Sequence, residues 1–165
     1  MKKESEAPSR KKLLSKRIDD AMDNVKFWTR LRWDRESGGE VTTKRFRGLK
    51  LDMPTRFGGK GRYICPDELF LSSVAGCLLT TFLYFKRKLK VHLEDLEISV
   101  NGTLRAGSEG YGISEIRGMI FIKAKKNDEI GVRKCIKLAE EYCHITRTLE
   151  KVVPIKIMER IRVVK

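Results

Sequence analysis

The sequence predicts an α+β fold, with antiparallel sheet packed against a buried central helix and a second helix. Three observations carry this. Residues 69–85 form an uninterrupted run of 17 uncharged residues. Period-two alternation appears on both sides of that run, and a second amphipathic stretch precedes the last strand. Strand pairs separated by helices favour a sheet covered by helices over a parallel doubly wound one. A length of 165 residues suits one domain with a substantial core. The proportions, 41% apolar and 35% charged, are those of a globular chain.

Residues 1–24, "MKKESEAPSRKKLLSKRIDDAMDN", read as a basic extension that is partly helical. Leu13, Leu14, Ile18 and Met22 recur at helical spacing within residues 10–24. The segment lacks the apolar core of a signal peptide. The main domain then spans 25–165. "VKFWTRLRWD" alternates as a strand, with Val25, Phe27, Thr29, Leu31 and Trp33 on one side. "RESGGE" reads as a hairpin turn with Gly38 and Gly39 free to take positive φ, and "VTTKRFRGLKLD" as the returning strand.

"MPTRFGGKGRYIC", residues 53–65, is a loop bracketed by Pro54 and Pro66; loops of this length inside a compact domain are often functional. Pro66 suits the first turn of a helix, and Asp67 and Glu68 favour its positive end. The helix runs to about Lys88. It is apolar nearly all round, which places it inside something. Its 17 uncharged residues fall short of a membrane span and include Ser72, Ser73, Gly76, Thr80 and Thr81, so no membrane association is expected.

"LEISVNGTLR" and "ISEIRGMIFIKA" make a hairpin through "AGSEGYG". "NDEIGVRKCIKLAEEYC" is the second helix, capped by Asn127 or Asp128, with Ile130, Cys135, Ala139 and Tyr142 at helical intervals. "HITRTLEKV" adds a short turn. "PIKIMERIRVV" closes as a strand with Ile155, Ile157, Glu159 and Ile161 on one face, where Glu159 interrupts the apolar pattern.

Net charge is +14 (36 Lys and Arg against 22 Asp and Glu), which favours acidic partners. About a third of the excess lies in residues 1–35 and the remainder is scattered. With no aromatic-spaced basic stripe, a dedicated nucleic-acid reader is disfavoured against a solvated basic surface. Four cysteines (Cys65, Cys77, Cys135, Cys143) form no CxxC, and there are only two histidines, so neither metal nor cofactor is expected. A cytoplasmic location is expected, where thiols stay reduced and a disulfide signals redox chemistry rather than scaffold.

Cys77 sits mid-helix among Ser72, Ser73, Ala75 and Gly76, small residues that let a substrate or another backbone approach. A buried helical thiol is usually inert packing, and this setting departs from that. Cys143 ends the second helix beside His144 and Arg147, both able to favour a thiolate. Cys135 reads as core. Cys65, in the loop before Pro66, is a third redox candidate of lower rank.

"PDELFLSSVAGC" followed by "YCHITRTL", together with "TRFGGKGRYICPDEL", resembles the OsmC/Ohr family of thiol peroxidases over roughly residues 25–165. The resemblance implies an intertwined homodimer with two active sites at the subunit interface and a role in the oxidative stress response. It implies that Cys77 attacks an organic hydroperoxide and becomes a sulfenic acid, and that Cys143 condenses with it to a disulfide. A thiol or dithiol then acts as reductant. Arg56 matches the arginine that activates the thiol and orients the peroxide, with Arg62 as the alternative threading of the loop. The arginine's acidic partner maps to Asp67 or to Glu68. Leu78, Phe82 or Phe57 would wall the site. The family often has proline after the second cysteine. Here His144 stands there, either tuning the resolving thiol or simply exposed. The alternative function is a non-catalytic module on the same fold, binding an anionic or thiol-bearing small molecule.

Overall fold

The computed structural model describes residues 25–108 and 110–164. The expected helix within residues 10–24 lies outside them. The chain divides into two compact units, with the boundary between Leu51 and Asp52.

The first unit is a three-stranded sheet in the order β1 (Thr29–Trp33), β2 (Gly38–Thr43), β3 (Arg47–Asp52). β1 and β2 pair antiparallel, Thr29 opposite Thr43 and Trp33 opposite Gly39. The returning strand expected over 41–52 is therefore two strands. Thr43 breaks it: its hydroxyl oxygen accepts the Phe46 N–H at 3.0 Å and the Arg45 N–H at 3.3 Å, closing a turn. The hairpin's glycines also act differently from expectation. The left-handed residue is Arg35, at φ 70. Asp34 closes the turn by accepting the Glu36 and Gly38 N–H groups at 2.8 and 3.1 Å. Gly39 is needed for space instead: a Cβ there would stand 2.6 Å from the Arg32 carbonyl oxygen.

The second unit holds the core. A 3-10 turn (Thr55–Phe57) leads into α1 (Pro66–Leu89), followed by β4 (Asp95–Gly107), β5 (Gly110–Lys125), α2 (Glu129–Tyr142), α3 (His144–Leu149) and β6 (Ile155–Val164). β4 and β5 pair antiparallel, with one irregularity at Thr103/Leu104. β6 pairs with β5 in parallel, Ile116 opposite Ile155 and Lys125 opposite Val164. That direction follows from the crossover through α2 and α3, which returns the chain to the end of the sheet where β5 began.

α1 begins as expected, with Pro66 at its first position and Asp67 and Glu68 in its first turn. It ends at Lys90, in the left-handed conformation at φ 55. Val74, Cys77, Leu78, Phe82 and Phe85 form its buried stripe. Phe82 and Phe85 are essentially inaccessible, at 0% and 1% exposure, and each contributes on the order of 1.5–3 kcal/mol of apolar burial. The opposite side of α1 is open: Ser72, Ser73, Gly76, Thr80 and Leu83 are exposed in the single chain. By length and composition alone α1 could cross a membrane, but its apolar stripe is buried in this unit's own core.

α2 buries Val132, Cys135, Ile136 and Ala139, the i, i+3, i+4, i+7 spacing of an amphipathic helix. Ile130, expected on that face, is 84% exposed. Asp128 does not cap α2 through its side chain; its carboxylate accepts the His92 N–H at 3.0 Å instead. Glu159, the interruption in β6, is held by α2: Arg133 Nη1 donates to it at 2.8 Å while Arg133 Nη2 donates to Glu129 at 2.9 Å.

Candidate active site

Cys77 and Cys143 come together. Cys77 faces the core two turns from Phe85, whose ring lies 5.4 Å from that of Tyr142 and so joins α1 to the end of α2. Cys143 occupies the break between α2 and α3 in an extended conformation, φ −69 and ψ 104. Its N–H reaches the Ala139 carbonyl at 2.9 Å, and its carbonyl accepts the Arg147 N–H at 3.0 Å and the Thr146 hydroxyl at 3.1 Å. The backbone is thereby fixed on both sides of the break, and the side chain is directed into an apolar cluster with Val74, Cys77 and Leu78. Ile98, Val100, Ile145, Leu149 and Ile157 pack around these four. All four cysteines are free thiols.

The two thiols act on one another as a pair. Sharing of the Cys77 proton is the largest influence on Cys143 and lowers it from 9.0 to about 6 against the opposing effect of burial. The Thr146 hydroxyl and the N–H groups of Thr146 and Ile145, at the start of α3, lower it further. Cys77 moves the other way. Giving its proton to the shared bond, and then burial, push it above the ordinary thiol range, against the Ile145 N–H and the Thr81 side chain. The pair therefore loses one proton easily and holds the second tightly. Access separates the two sulfurs: Cys77 retains 7% exposure and Cys143 none. His144, read from sequence as tuning Cys143 or exposed, is exposed yet reaches Cys77: its Nδ1 and Nε2 lie 3.7 and 3.9 Å from the Cys77 sulfur.

The loop residues gather elsewhere. A pocket of about 200 Å³ is lined by Arg56, Cys65, Asp67, Glu68, Leu71 and a short stretch of the β4–β5 hairpin. Its shape rests on the buried carboxylate of Asp52, which accepts the Arg62 Nε–H at 2.8 Å and the N–H groups of Met53 and Arg62 at 2.9 and 3.0 Å. Gly59 lies so close to Met53 that a Cβ would stand 1.9 Å from its carbonyl oxygen. Arg62 is thus committed to Asp52, whereas Arg56 lines the pocket with its guanidinium 4.9 Å from the Phe57 ring centre. Glu68 is also committed: its Oε2 accepts the Cys65 N–H at 3.1 Å while the Cys65 sulfur accepts the Glu68 N–H at 3.4 Å, a capping box. Asp67 lines the same pocket without such a bond among the described residues.

Within one chain the pocket and the thiol pair are separate. Leu71, the α1 residue of the pocket nearest the sulfurs, stands six positions before Cys77, roughly 9 Å along the axis, and Cys77 does not line the pocket. Leu78 stands with the sulfurs, Phe82 is deeper in the core, and Phe57 is 48% exposed on the loop. Cys135 is core, pushed up to about 11 by burial. Sequence reasoning missed Thr81 and the N–H groups of Ile145 and Thr146. Thr81 was discoverable as the residue four after Cys77 on the same helix.

The family described as OsmC-like protein matches residues 59–158, which include α1, both sulfurs and the start of β6. The chain belongs to the OsmC-like family. Protein YmaD of Bacillus subtilis (strain 168) is 25% identical over 119 residues, 70% of this chain and 75% of that protein. The crystal structure of an OsmC-like protein from Mycoplasma pneumoniae is similar at a TM-score of 0.70 and 22% identity, covering 86% of this chain and 99% of that one. An organic hydroperoxide resistance protein OsmC from Legionella pneumophila is similar at 0.62 and 22%, over 82% and 97%. These likenesses establish the OsmC-like fold, with its central helix and sheets as expected.

Proposed function

We propose that this OsmC-like protein is a thiol-dependent peroxidase that reduces organic hydroperoxides in the cytoplasm as part of an oxidative stress response. The observation that carries the reading is the contact between two thiols from distant parts of the chain in one apolar cluster. Cys77 is the peroxidatic residue, because its sulfur is the more accessible of the two. The pair has already lost one proton; once the other is withdrawn from its sulfur, Cys77 attacks one oxygen of ROOH as a thiolate. The O–O bond breaks, RO⁻ takes a proton and leaves as ROH, and Cys77 becomes a sulfenic acid. The Cys143 thiolate then attacks that sulfur; the S–O bond breaks and water departs, leaving a Cys77–Cys143 disulfide. A dithiol supplies the two electrons and two protons that restore both thiols. The Legionella pneumophila relative is an organic hydroperoxide resistance protein, which agrees with this substrate class.

Arg56 is the activating guanidinium and Asp67 its acidic partner, since Arg62 and Glu68 already serve the loop and the helix cap. They meet Cys77 in a homodimer, where the pocket of one copy approaches the open Ser72–Ser73–Gly76–Thr80 side of α1 in the other. A guanidinium with five donors can hold a thiolate and a peroxide oxygen together. The alternative, a binding module for an anionic small molecule, draws on the +14 charge and on Arg56. Asp67 and Glu68 in the same pocket weigh against it. The experiment is dithiol-dependent consumption of cumene hydroperoxide by the wild type and by Cys77→Ser. Loss of turnover in the variant is expected, with a Cys77–Cys143 disulfide found by mass spectrometry after one equivalent of peroxide. Undiminished turnover in Cys77→Ser rejects the reading.

A further inference from the structure

We infer that His144 is a catalytic residue of this site, the base that takes the Cys77 proton and the acid that returns it to the departing alkoxide. The inference rests on the peroxidase reading and adds a residue to it. Around the Cys77 sulfur stand Cys143, the Thr81 side chain, the Ile145 N–H and the His144 ring. Thr81 and Ile145 can steady a thiolate, and neither can carry a proton away to solvent. Cys143 is wholly buried. The imidazole touches the sulfur on one side and is open to solvent on the other, so a proton it accepts can be handed on. Its Nδ1 and Nε2 lie 3.7 and 3.9 Å from the sulfur, which sits between the two nitrogens, and a turn of the exposed ring brings either one to bear on it. The backbone beneath it is held: the Thr148 hydroxyl donates to the His144 carbonyl at 2.7 Å, and the neighbouring Cys143 carbonyl accepts from Thr146.

The step balances within the chain and its substrate. The Cys77 S–H bond breaks and its proton passes to the imidazole. The sulfur's electron pair forms the S–O bond as the O–O bond breaks, and the imidazolium N–H gives its proton to RO⁻. Cys77–SH and ROOH become Cys77–SOH and ROH, and His144 ends neutral as it began. Arg56 lines a pocket that does not include Cys77, so within one chain the proton's path runs through the histidine.

Leaving-group chemistry provides the test. General acid–base assistance is typically worth about 10²–10⁴-fold. For cumene hydroperoxide, whose alkoxide must be protonated, kcat/KM in His144→Gln should fall by about 10²-fold or more. For perbenzoic acid, whose carboxylate leaves without a proton, the fall should be at least ten times smaller, on the order of one decade less than for the alkyl peroxide. His144→Ala should recover part of its cumene hydroperoxide rate on addition of imidazole. Equal losses on both peroxides, or no loss on either, overturn the assignment, because displaced packing would slow both alike. Alkylation of Cys77 by iodoacetamide in a Cys143→Ser background needs no peroxide and tests the base role separately. It should slow when His144→Gln is added, and an unchanged rate refutes that role. Retained turnover in Cys77→Ser would sink the peroxidase reading itself. A dead Cys77→Ser beside a fully active His144→Gln would sink only the histidine.

Discussion

Removing the donor in Cys77→Ala should abolish the easy ionisation of Cys143. Cys143 sits at about 6 chiefly because the Cys77 thiol donates to it, while burial pulls the other way. At pH 7 a thiol at about 6 is roughly 90% thiolate, and one at an ordinary 9.0 is roughly 1%, close to a 90-fold difference in nucleophile. With the donor gone, the Thr146 hydroxyl and the α3 N–H groups remain, but so does desolvation, and the midpoint should climb well back toward 9. The assay is the ultraviolet absorbance of the thiolate against pH, with Cys65 and Cys135 replaced by serine so that only the pair reports. The paired protein should show one thiolate appearing near 6, and Cys77→Ala should lose that step. The same shift has a stability consequence. An acid whose folded pKa is depressed binds fewer protons folded than unfolded, so stability rises with pH through the window from about 6 to 9. Urea midpoints should rise over that window in the paired protein and lie flatter in Cys77→Ala. A thiolate step that stays near 6 without Cys77 would refute the shared-proton argument, as would a paired protein with no thiolate below about pH 8.

Two further outcomes test the pocket's scaffold. Asp52→Ala leaves the Arg62 guanidinium and two backbone N–H groups without their buried acceptor and should cost about 3–5 kcal/mol in urea unfolding; a loss below about 1 kcal/mol would contradict the role given to that carboxylate. Cys65→Ala removes the sulfur that caps α1 and should cost about 1 kcal/mol, whereas Cys65→Ser should match or exceed the wild type, since a hydroxyl is the better cap.

The start of α1 was legible because its signals are local: Pro66, Asp67 and Glu68 act within one turn. Its buried side was less so: the sequence reads the helix as apolar nearly all round, and packing selects the stripe Val74, Leu78, Phe82 and Phe85 for the core. What escaped depended on partners distant in sequence. Alternation in "PIKIMERIRVV" is the same whether the neighbouring strand runs parallel or antiparallel, so the direction of β6 could not be read. Glu159 looked misplaced until α2 supplied Arg133. Thr43 gave no sign that its hydroxyl would fold 41–52 into two strands. Two cysteines on separate helices could be suspected as a pair only through family resemblance, whereas their meeting is a matter of how α1, α2 and α3 pack. His144 followed the same logic: exposure and contact with a buried sulfur are compatible when a helix breaks beside it.

That break lies in the crossover that carries the chain from β5 to β6, downstream of α1 and the β4–β5 hairpin. A ribosome therefore finishes α1 and the β4–β5 hairpin long before residue 143 emerges. Until the last strand docks alongside β5, the nascent polypeptide carries Cys77 without its mate. An oxidant arriving in that interval would meet a thiol with no neighbour to capture its oxidised form. On the proposed peroxidase reading, docking β6 is thus what turns a vulnerable cysteine into a recyclable one.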